Sequence, residues 1–278
     1  METGKNLDNE FPSVMDGAYK QYKKNLSRYK KANEIMTKKV FTINPEASMF
    51  QAVKIMGEKH IGSLIVTKYD TAVGIVTERD LLTKVLALEK NLKTQKVENV
   101  MSYPLVSIDS TTKIKETAQT MIDKKGRLAV FDCGKLVGIV TASDLIRSLP
   151  EIHETQAKVD DFMTTEVVTV DEKTLINQVT KIMGNQRIGS VIITKKEKPT
   201  GIFTERDLLT SLLSKDKPLT TQVGSKSSSP LITQPSGISI HQAAITMTQK
   251  HIRRLPITKK EKLVGIITAR DLVEAYAK

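Results

Sequence analysis

The segment Gly74-Ile75-Val76-Thr77-Glu78-Arg79-Asp80 decides the fold, because the chain writes it four times. It returns as Gly138-Ile139-Val140-Thr141-Ala142-Ser143-Asp144, as Gly201-Ile202-Phe203-Thr204-Glu205-Arg206-Asp207, and as Gly265-Ile266-Ile267-Thr268-Ala269-Arg270-Asp271. The spacings are 64, 63 and 64 residues. Over residues 74–86, ten of thirteen residues equal those 127 positions later, and Lys54-Ile55-Met56-Gly57 and Ile61-Gly62-Ser63 recur there unchanged. Repetition at a fixed period specifies architecture before any secondary structure is assigned. The pattern is a duplicated pair.

Working outward, each unit opens with a short β-branched run, such as Val40-Phe41-Thr42-Ile43, followed by a helix with Ala52, Val53 and Met56 at helical spacing. Two strands follow, split by a turn around Tyr69-Asp70, and a second helix then runs to about residue 88 with Leu81, Leu82, Val85 and Leu86 on one face. The order is β-α-β-β-α, a mixed α/β (α+β) class. A unit of about 55 residues cannot cover both faces of one small sheet, so the units should pair into compact modules. The expected units are residues 33–88, 96–149, 158–213 and 222–277, behind a basic segment at 1–32. Polar linkers fall at 89–95, at 150–157 after Pro150, and at 214–221 around Pro218.

This order, with a Gly-h-h-Thr-x-x-Asp segment (h apolar) closing every sheet, resembles the cystathionine-beta-synthase (CBS) domain family. Two such pairs resemble a four-repeat array of two Bateman modules, similar in architecture to the nucleotide-sensing gamma subunit of AMP-activated kinase. The resemblance covers residues 33–277. It implies a non-enzymatic sensor that takes an adenosine nucleotide (AMP, ADP or ATP) as regulatory ligand in clefts between paired repeats, with no required cofactor.

The Thr-x-x-Asp pairs, Thr77/Asp80, Thr141/Asp144, Thr204/Asp207 and Thr268/Asp271, have a local explanation as helix-capping boxes. Capping explains less well why the acid is Asp in all four copies. The resemblance implies that Thr and Asp also hold a ribose, with the neighbouring helix N-terminus favouring a phosphate. Both readings stand at this stage. A further hydroxyl lies 34 or 35 residues before each motif threonine, as Thr42, Ser107, Thr169 and Thr233. CBS-type sites use this strand beside the adenine; the alternative is an exposed β-former in a half-buried strand.

Phosphate needs cations, and here the units differ. Arg127 and Arg254 stand where odd repeats have Ser63 and Ser190. The run His251-Ile252-Arg253-Arg254-Leu255-Pro256 resembles the phosphate-contacting segment of the kinase subunit. By that resemblance Arg127 serves the Thr77/Asp80 site, and Arg254 with Arg253 the Thr204/Asp207 site, so odd sites are expected to be better equipped. Arg79, Arg206 and Arg270 each precede a motif Asp and add charge, while repeat 2 has Ser143 there. His60 and His251, at the end of the first helix of repeats 1 and 4, read as helix C-terminal residues.

Lys plus Arg number 43 against 31 Asp plus Glu, a net charge of +12. That excess favours nucleic acid or an acidic protein. Much of it lies in Ala18-Tyr19-Lys20-Gln21-Tyr22-Lys23-Lys24-Asn25-Leu26-Ser27-Arg28-Tyr29-Lys30-Lys31-Ala32. Lys20, Lys23, Lys24, Arg28, Lys30 and Lys31 neutralise phosphates while the tyrosines stack on unpaired bases, which suits RNA or the ribosome. Tyr22, Leu26 and Tyr29 equally form an apolar stripe suited to packing on the array. Cys133 is the only cysteine, the N-terminus lacks a signal-peptide pattern, and no apolar run reaches the roughly 18 residues of a membrane span, so the expectation is a soluble cytoplasmic protein without membrane contact. Enzymatic constellations such as His-x-x-x-His or a Walker loop are missing. Beside the nucleotide sensor, two readings remain: a ribosome- or RNA-binding translation inhibitor on the CBS scaffold, and a sensor of S-adenosylmethionine. A homodimer is compatible with each.

Overall fold

The computed structural model describes residues 30–124, 126–148 and 157–278. Lys20, Lys23, Lys24 and Arg28 lie outside the described residues, as does the expected linker at 150–157 apart from Ala157. Each repeat builds a three-stranded sheet whose first strand runs parallel to the second and whose second and third form an antiparallel hairpin. In repeat 1 these are Thr42–Ile43, Ser63–Lys68 and Thr71–Thr77, with Thr42 opposite Ile65 and Ser63 opposite Thr77. The hairpin turns place two residues in the left-handed region, Tyr69 and Asp70 at φ 49° and 59°, and Cys133 and Gly134 at 45° and 77°. That conformation carries the strands back with matching twist. Cys133 is therefore an exposed turn residue.

The helix Met49–Glu58 starts at Ser48, whose Oγ accepts from Gln51 N at 3.2 Å while Gln51 Oε1 accepts from Ser48 N at 2.9 Å. Its buried residues Met49, Ala52, Val53, Met56 and Gly57 make one helical stripe. The stripe does not face repeat 2. It joins Ile176, Val179, Met183 and Leu209 of repeat 3 in one core, while the helices of repeats 2 and 4 form a second core around Met121, Leu145, Met247 and Leu272. The sheets of repeats 1 and 2 meet at Ile65, Ile75 and Ala129. Sheet packing thus makes the expected pair, and the helix cores, where a self-contained module would keep its own, fuse one pair to the other.

Helix contact is close because two glycines permit it. A Cβ on Gly57 would lie 2.2 Å from Ser214 Cβ, and one on Gly184 would lie 2.3 Å from Ala87 Cβ. Opposite Gly184 the second helix of repeat 1 departs from the expected single α-helix: Glu78–Leu81 is α-helical and Leu82–Leu86 is a π-helical turn. Apolar spacing marks the buried face but does not separate the two hydrogen-bond patterns, and the Ala87 amide donates to Leu82 O at 2.9 Å.

Each repeat begins on its partner. Thr37 bridges Ile139 of repeat 2, Ser102 bridges Ile75 of repeat 1, Thr164 bridges Ile266, and Ser228 bridges Ile202. Ala32 is fully buried in the core shared by repeats 2 and 4, and Lys30 O accepts from Ile114 N at 3.1 Å. The Lys31 amide donates to Glu34 Oε1 at 2.8 Å. The C-terminal end of the basic segment is therefore built into the array. No helix among the described residues is long and apolar enough to cross a membrane.

Filling either glycine overpacks a closed helix interface. Gly57→Leu or Gly184→Leu is expected to lower stability by about 1–3 kcal/mol in urea unfolding; unchanged midpoints would mean that the helices have room to separate.

Candidate ligand clefts and the arginine centre between them

All four Thr-x-x-Asp pairs form closed caps. Asp80 Oδ2 accepts from the Thr77 amide at 3.0 Å and from Thr77 Oγ1 at 2.6 Å, while Thr77 Oγ1 accepts from the Asp80 amide at 3.1 Å. Asp144, Asp207 and Asp271 use Oδ2 in the same way on Thr141, Thr204 and Thr268, at 2.6 to 2.9 Å. Only one carboxylate oxygen is spent on capping. Oδ1 of Asp80 accepts from Ser102 Oγ at 3.2 Å and pairs with Lys84 Nζ at 2.7 Å; Oδ1 of Asp144 pairs with Arg147. Capping and ligand contact are therefore compatible in one residue. Burial pushes the carboxyls of Asp207 and Asp271 up, with the threonine hydrogen bonds opposing it.

The hydroxyl beside each Asp comes from the partner repeat. Ser102 Oγ donates to Asp80 Oδ1, and Ser228 Oγ donates to Asp207 Oδ1 at 3.5 Å. Thr37 and Thr164 hold the equivalent bridges and line the cavities described below. Sequence reasoning missed this set, although Met36-Thr37, Met101-Ser102 and Met163-Thr164 recur in register. The expected positions Thr42, Ser107 and Thr169 are exposed; in the first strands it is Val40 and Phe41, and Val167 and Val168, that line cavities. The cause is the exchange of opening segments, which sets the cleft nearer the start of each repeat.

At the centre, two glutamates and five arginines meet. Glu78, with a side chain 3% exposed, takes Arg206 Nε of repeat 3 at 3.0 Å. Arg253 and Arg127 lie 3.6 and 3.8 Å from its other oxygen. Glu205 pairs reciprocally with Arg79 of repeat 1 and with Arg254 at 3.1 Å. Arg206 Nη1 also donates to His60 O at 2.9 Å, and Arg79 Nη1 donates to Arg187 O. Arg79 and Arg206, expected to add charge to their own clefts, are thus committed across the repeat 1 to repeat 3 interface. His60, Arg187 and His251 are left-handed residues ending first helices, as expected for the two histidines. The glutamates escaped notice because each sits between Thr and Asp, in the place the motif leaves variable. Burial pushes Glu78 up, but Arg253, Arg206, Arg127 and Arg254 outweigh it and hold the carboxyl below its usual range. Burial pulls Arg127 and Arg254 down, opposed chiefly by Glu78 and Glu205 respectively. Room for this centre depends on Gly62 and Gly189: a Cβ on Gly189 would lie 2.0 Å from Arg254 Nη2.

Two cavities open beside the centre. One of about 350 Å³ holds Thr141 and Asp144 with Thr37, Val40, Ile65 and Ile139, and its cationic wall includes Lys39, Arg127 and Arg253. The other, of about 680 Å³, joins Thr77 and Asp80 with Thr268 and Arg270, past Arg127, Arg253 and Arg254. Arg127 reaches the Thr77/Asp80 cleft as the resemblance implies. Arg253 and Arg254 line the larger cavity, whereas Thr204 and Asp207 line neither. Even repeats therefore contribute motif residues to both cavities, against the expectation that odd sites are better equipped. Among the described residues no group of three or more metal-ligating side chains occurs.

Comparison with known proteins agrees with this geometry. The CBS domain model matches residues 32–87, 97–151, 159–214 and 225–278. The uncharacterized protein MJ1404 of Methanocaldococcus jannaschii is 30% identical over 266 residues, 88% of this chain and 61% of that protein. The uncharacterized protein MK0525 of Methanopyrus kandleri is 34% identical over 125 residues, 44% of this chain and 64% of that one. The chain thus spans less than two thirds of either relative's length. Among solved structures, protein MJ1225 of M. jannaschii, described as a proposed archaeal homologue of g-AMPK, has a TM-score of 0.74 at 20% identity, covering 89% of this chain and 100% of that one. A conserved protein of Pyrococcus horikoshii gives 0.62 at 22% identity over 88% and 99%. At these identities the likeness concerns the fold.

Glu78 titrates lower in the folded protein than in the unfolded chain, so its contribution to stability is present above the ordinary glutamate value of about 4.3 and is lost as pH falls through the folded value. Asp207 and Asp271, titrating higher when folded, contribute in the opposite sense: their share is present below the unfolded value and lost as pH rises through the folded one. Glu78→Gln is expected to cost about 3 kcal/mol near neutrality, because buried guanidiniums lose their anion, and to remove part of the loss of stability on acidification. Urea unfolding across the acid range measures both. An unchanged acid slope would deny Glu78 this role.

Proposed function

The chain belongs to the CBS-domain family, and from that premise we propose that it is a non-enzymatic regulatory protein that binds adenosine nucleotides in the clefts between paired repeats and so controls a separate partner. The cavity at Thr141/Asp144 carries the reading, since it sets the three surfaces of a nucleotide in sequence. Val40, Ile65 and Ile139 offer an apolar slot for the base, Asp144 a carboxylate for the ribose hydroxyls, and Arg127, Arg253 and Lys39 cations for phosphate. The Thr77/Asp80 cleft repeats the arrangement with Ile75, Val106 and Arg127. These residues bind and orient; the array supplies no nucleophile or general base placed for turnover. S-adenosylmethionine shares the base and ribose but brings a positive sulfonium into a cavity lined by Lys39, Arg127, Arg147, Arg206 and Arg253 against a single acid, Asp144. Charge favours the phosphate ester.

Calorimetry of the full chain is expected to give binding of AMP, ADP or ATP, weaker binding of adenosine, and none of S-adenosylmethionine. Arg127→Ala should cost about 2 kcal/mol, roughly thirtyfold in affinity, by removing a charge-assisted contact. Heat from S-adenosylmethionine alone would replace the ligand, and no heat from any adenosyl compound would end the proposal.

The net charge of +12 supports a second reading, docking on an RNA-rich assembly such as the ribosome or on an acidic protein through the basic segment. Deleting residues 1–29, which spares the buried Ala32, is expected to weaken RNA binding and flatten its dependence on salt. Equal affinity and salt slope for the truncated chain would dismiss that reading.

A further inference from the structure

The two cavities differ in a way that separate mononucleotide clefts do not explain. The smaller, about 350 Å³, holds the Thr/Asp motif of repeat 2 alone. The larger, about 680 Å³, takes in the threonines of two motifs, Thr77 of repeat 1 and Thr268 of repeat 4, which belong to different sheet-paired modules. Both ends have an apolar wall, with Ile75 and Val106 at one and Val168 and Ile266 at the other. Between them lie guanidiniums. The lining contains seven cations, Lys124, Arg79, Arg127, Arg187, Arg253, Arg254 and Arg270, against four acids, Glu78, Asp80, Glu166 and Glu205. Two of these acids, Glu78 and Glu205, already have guanidinium partners, yet each guanidinium carries five N–H donors and one carboxylate does not exhaust several of them.

We infer that the larger cavity is one site for a dinucleotide, two nucleosides joined by a polyphosphate chain, with one nucleoside at Thr77/Asp80, the other at Thr268/Asp271, and the phosphates along Arg127, Arg253 and Arg254. The inference rests on the nucleotide reading of these clefts and adds that two of them act as one. Its physical advantage is linkage: once one nucleoside is seated, the second binds at the effective concentration set by the phosphate chain, and the gain vanishes when the chain is too short to span. The surplus of cations between the ends suits a linker charged along its length, which two separate monophosphates would leave partly unneutralised. Because the ends lie in different modules, such a ligand also ties one module to the other.

The test titrates the full chain calorimetrically with diadenosine compounds from the diphosphate to the pentaphosphate, with NAD as a dinucleotide bearing a single adenine, and with AMP and ATP. The expected result is a maximum at one linker length, about a hundredfold tighter than AMP, with one dinucleotide displacing AMP from both ends. Asp80→Asn and Asp271→Asn should each reduce the best dinucleotide to the affinity of a mononucleotide. Retained AMP binding at Thr141/Asp144 reports that the variants are folded. If AMP or ATP binds but no dinucleotide binds more tightly, this inference is overturned and the nucleotide reading stands. If nothing binds, both fall. A preference for NAD over every diadenosine compound keeps the bridging and changes the second base.

Discussion

The reciprocal exchange between Glu78 and Arg206 and between Glu205 and Arg79 holds the two halves of this protein in register. Two carboxylates taken from water would destabilise the array if left alone, and each is met by a guanidinium from the opposite half and another from an even repeat. Much else is arranged around this constraint. Gly62 and Gly189 are bare because side chains there would strike the ion pairs. The first helices of repeats 1 and 3 end in left-handed residues, His60 and Arg187, whose carbonyls accept from the crossing arginines. Even repeats lack the glutamate, carrying Ala142 and Ala269 in its place, and supply Arg127 and Arg254 instead. Odd and even repeats are thus two parts of one electrostatic device.

The repeat, its secondary structure and its hairpin turns were legible in the sequence because all are local. Helical spacing of Met49, Ala52, Val53 and Met56 marks a buried stripe, and the copies of Gly-h-h-Thr-x-x-Asp mark where each sheet ends and a helix begins. What covers that stripe is not local. An apolar face is the same whether it meets repeat 2 or repeat 3, and only the unusually close seats at Gly57 and Gly184 favour helix against helix. The site was half legible. Thr77 with Asp80 and Arg127 reach one cleft, as the spacing and the resemblance implied, but Thr42 was chosen over Thr37 because alternation within a strand carries no information about which sheet its preceding residues join.

Charge explains why the central residues were the hardest to read. Glutamate beside arginine in Thr-Glu-Arg-Asp looks like ordinary solvated helix, the commonest setting for those residues. Burial reverses the meaning of the pair: Glu78 and Arg206 each meet the other's repeat, so the dipeptide encodes a contact between copies that appears only when both are present. Duplication of a pair supplies both at once, and near identity over residues 74–86 and their counterparts 127 positions later keeps them matched.

The exchange of opening segments has a consequence for how such a chain can be divided. Residues 30–37 complete the sheet and core of repeat 2, and residues 97–102 return to repeat 1, so each repeat's sequence is threaded through its neighbour's body. A peptide cut between repeats 1 and 2 leaves two interlocked fragments, each holding a piece of the other, whereas a cut between repeats 2 and 3 separates two halves whose strand exchanges are complete. Heredity meets the same seam. Genes gaining or losing repeats of this kind must do so in twos, since a lone copy arrives without the segment that finishes it.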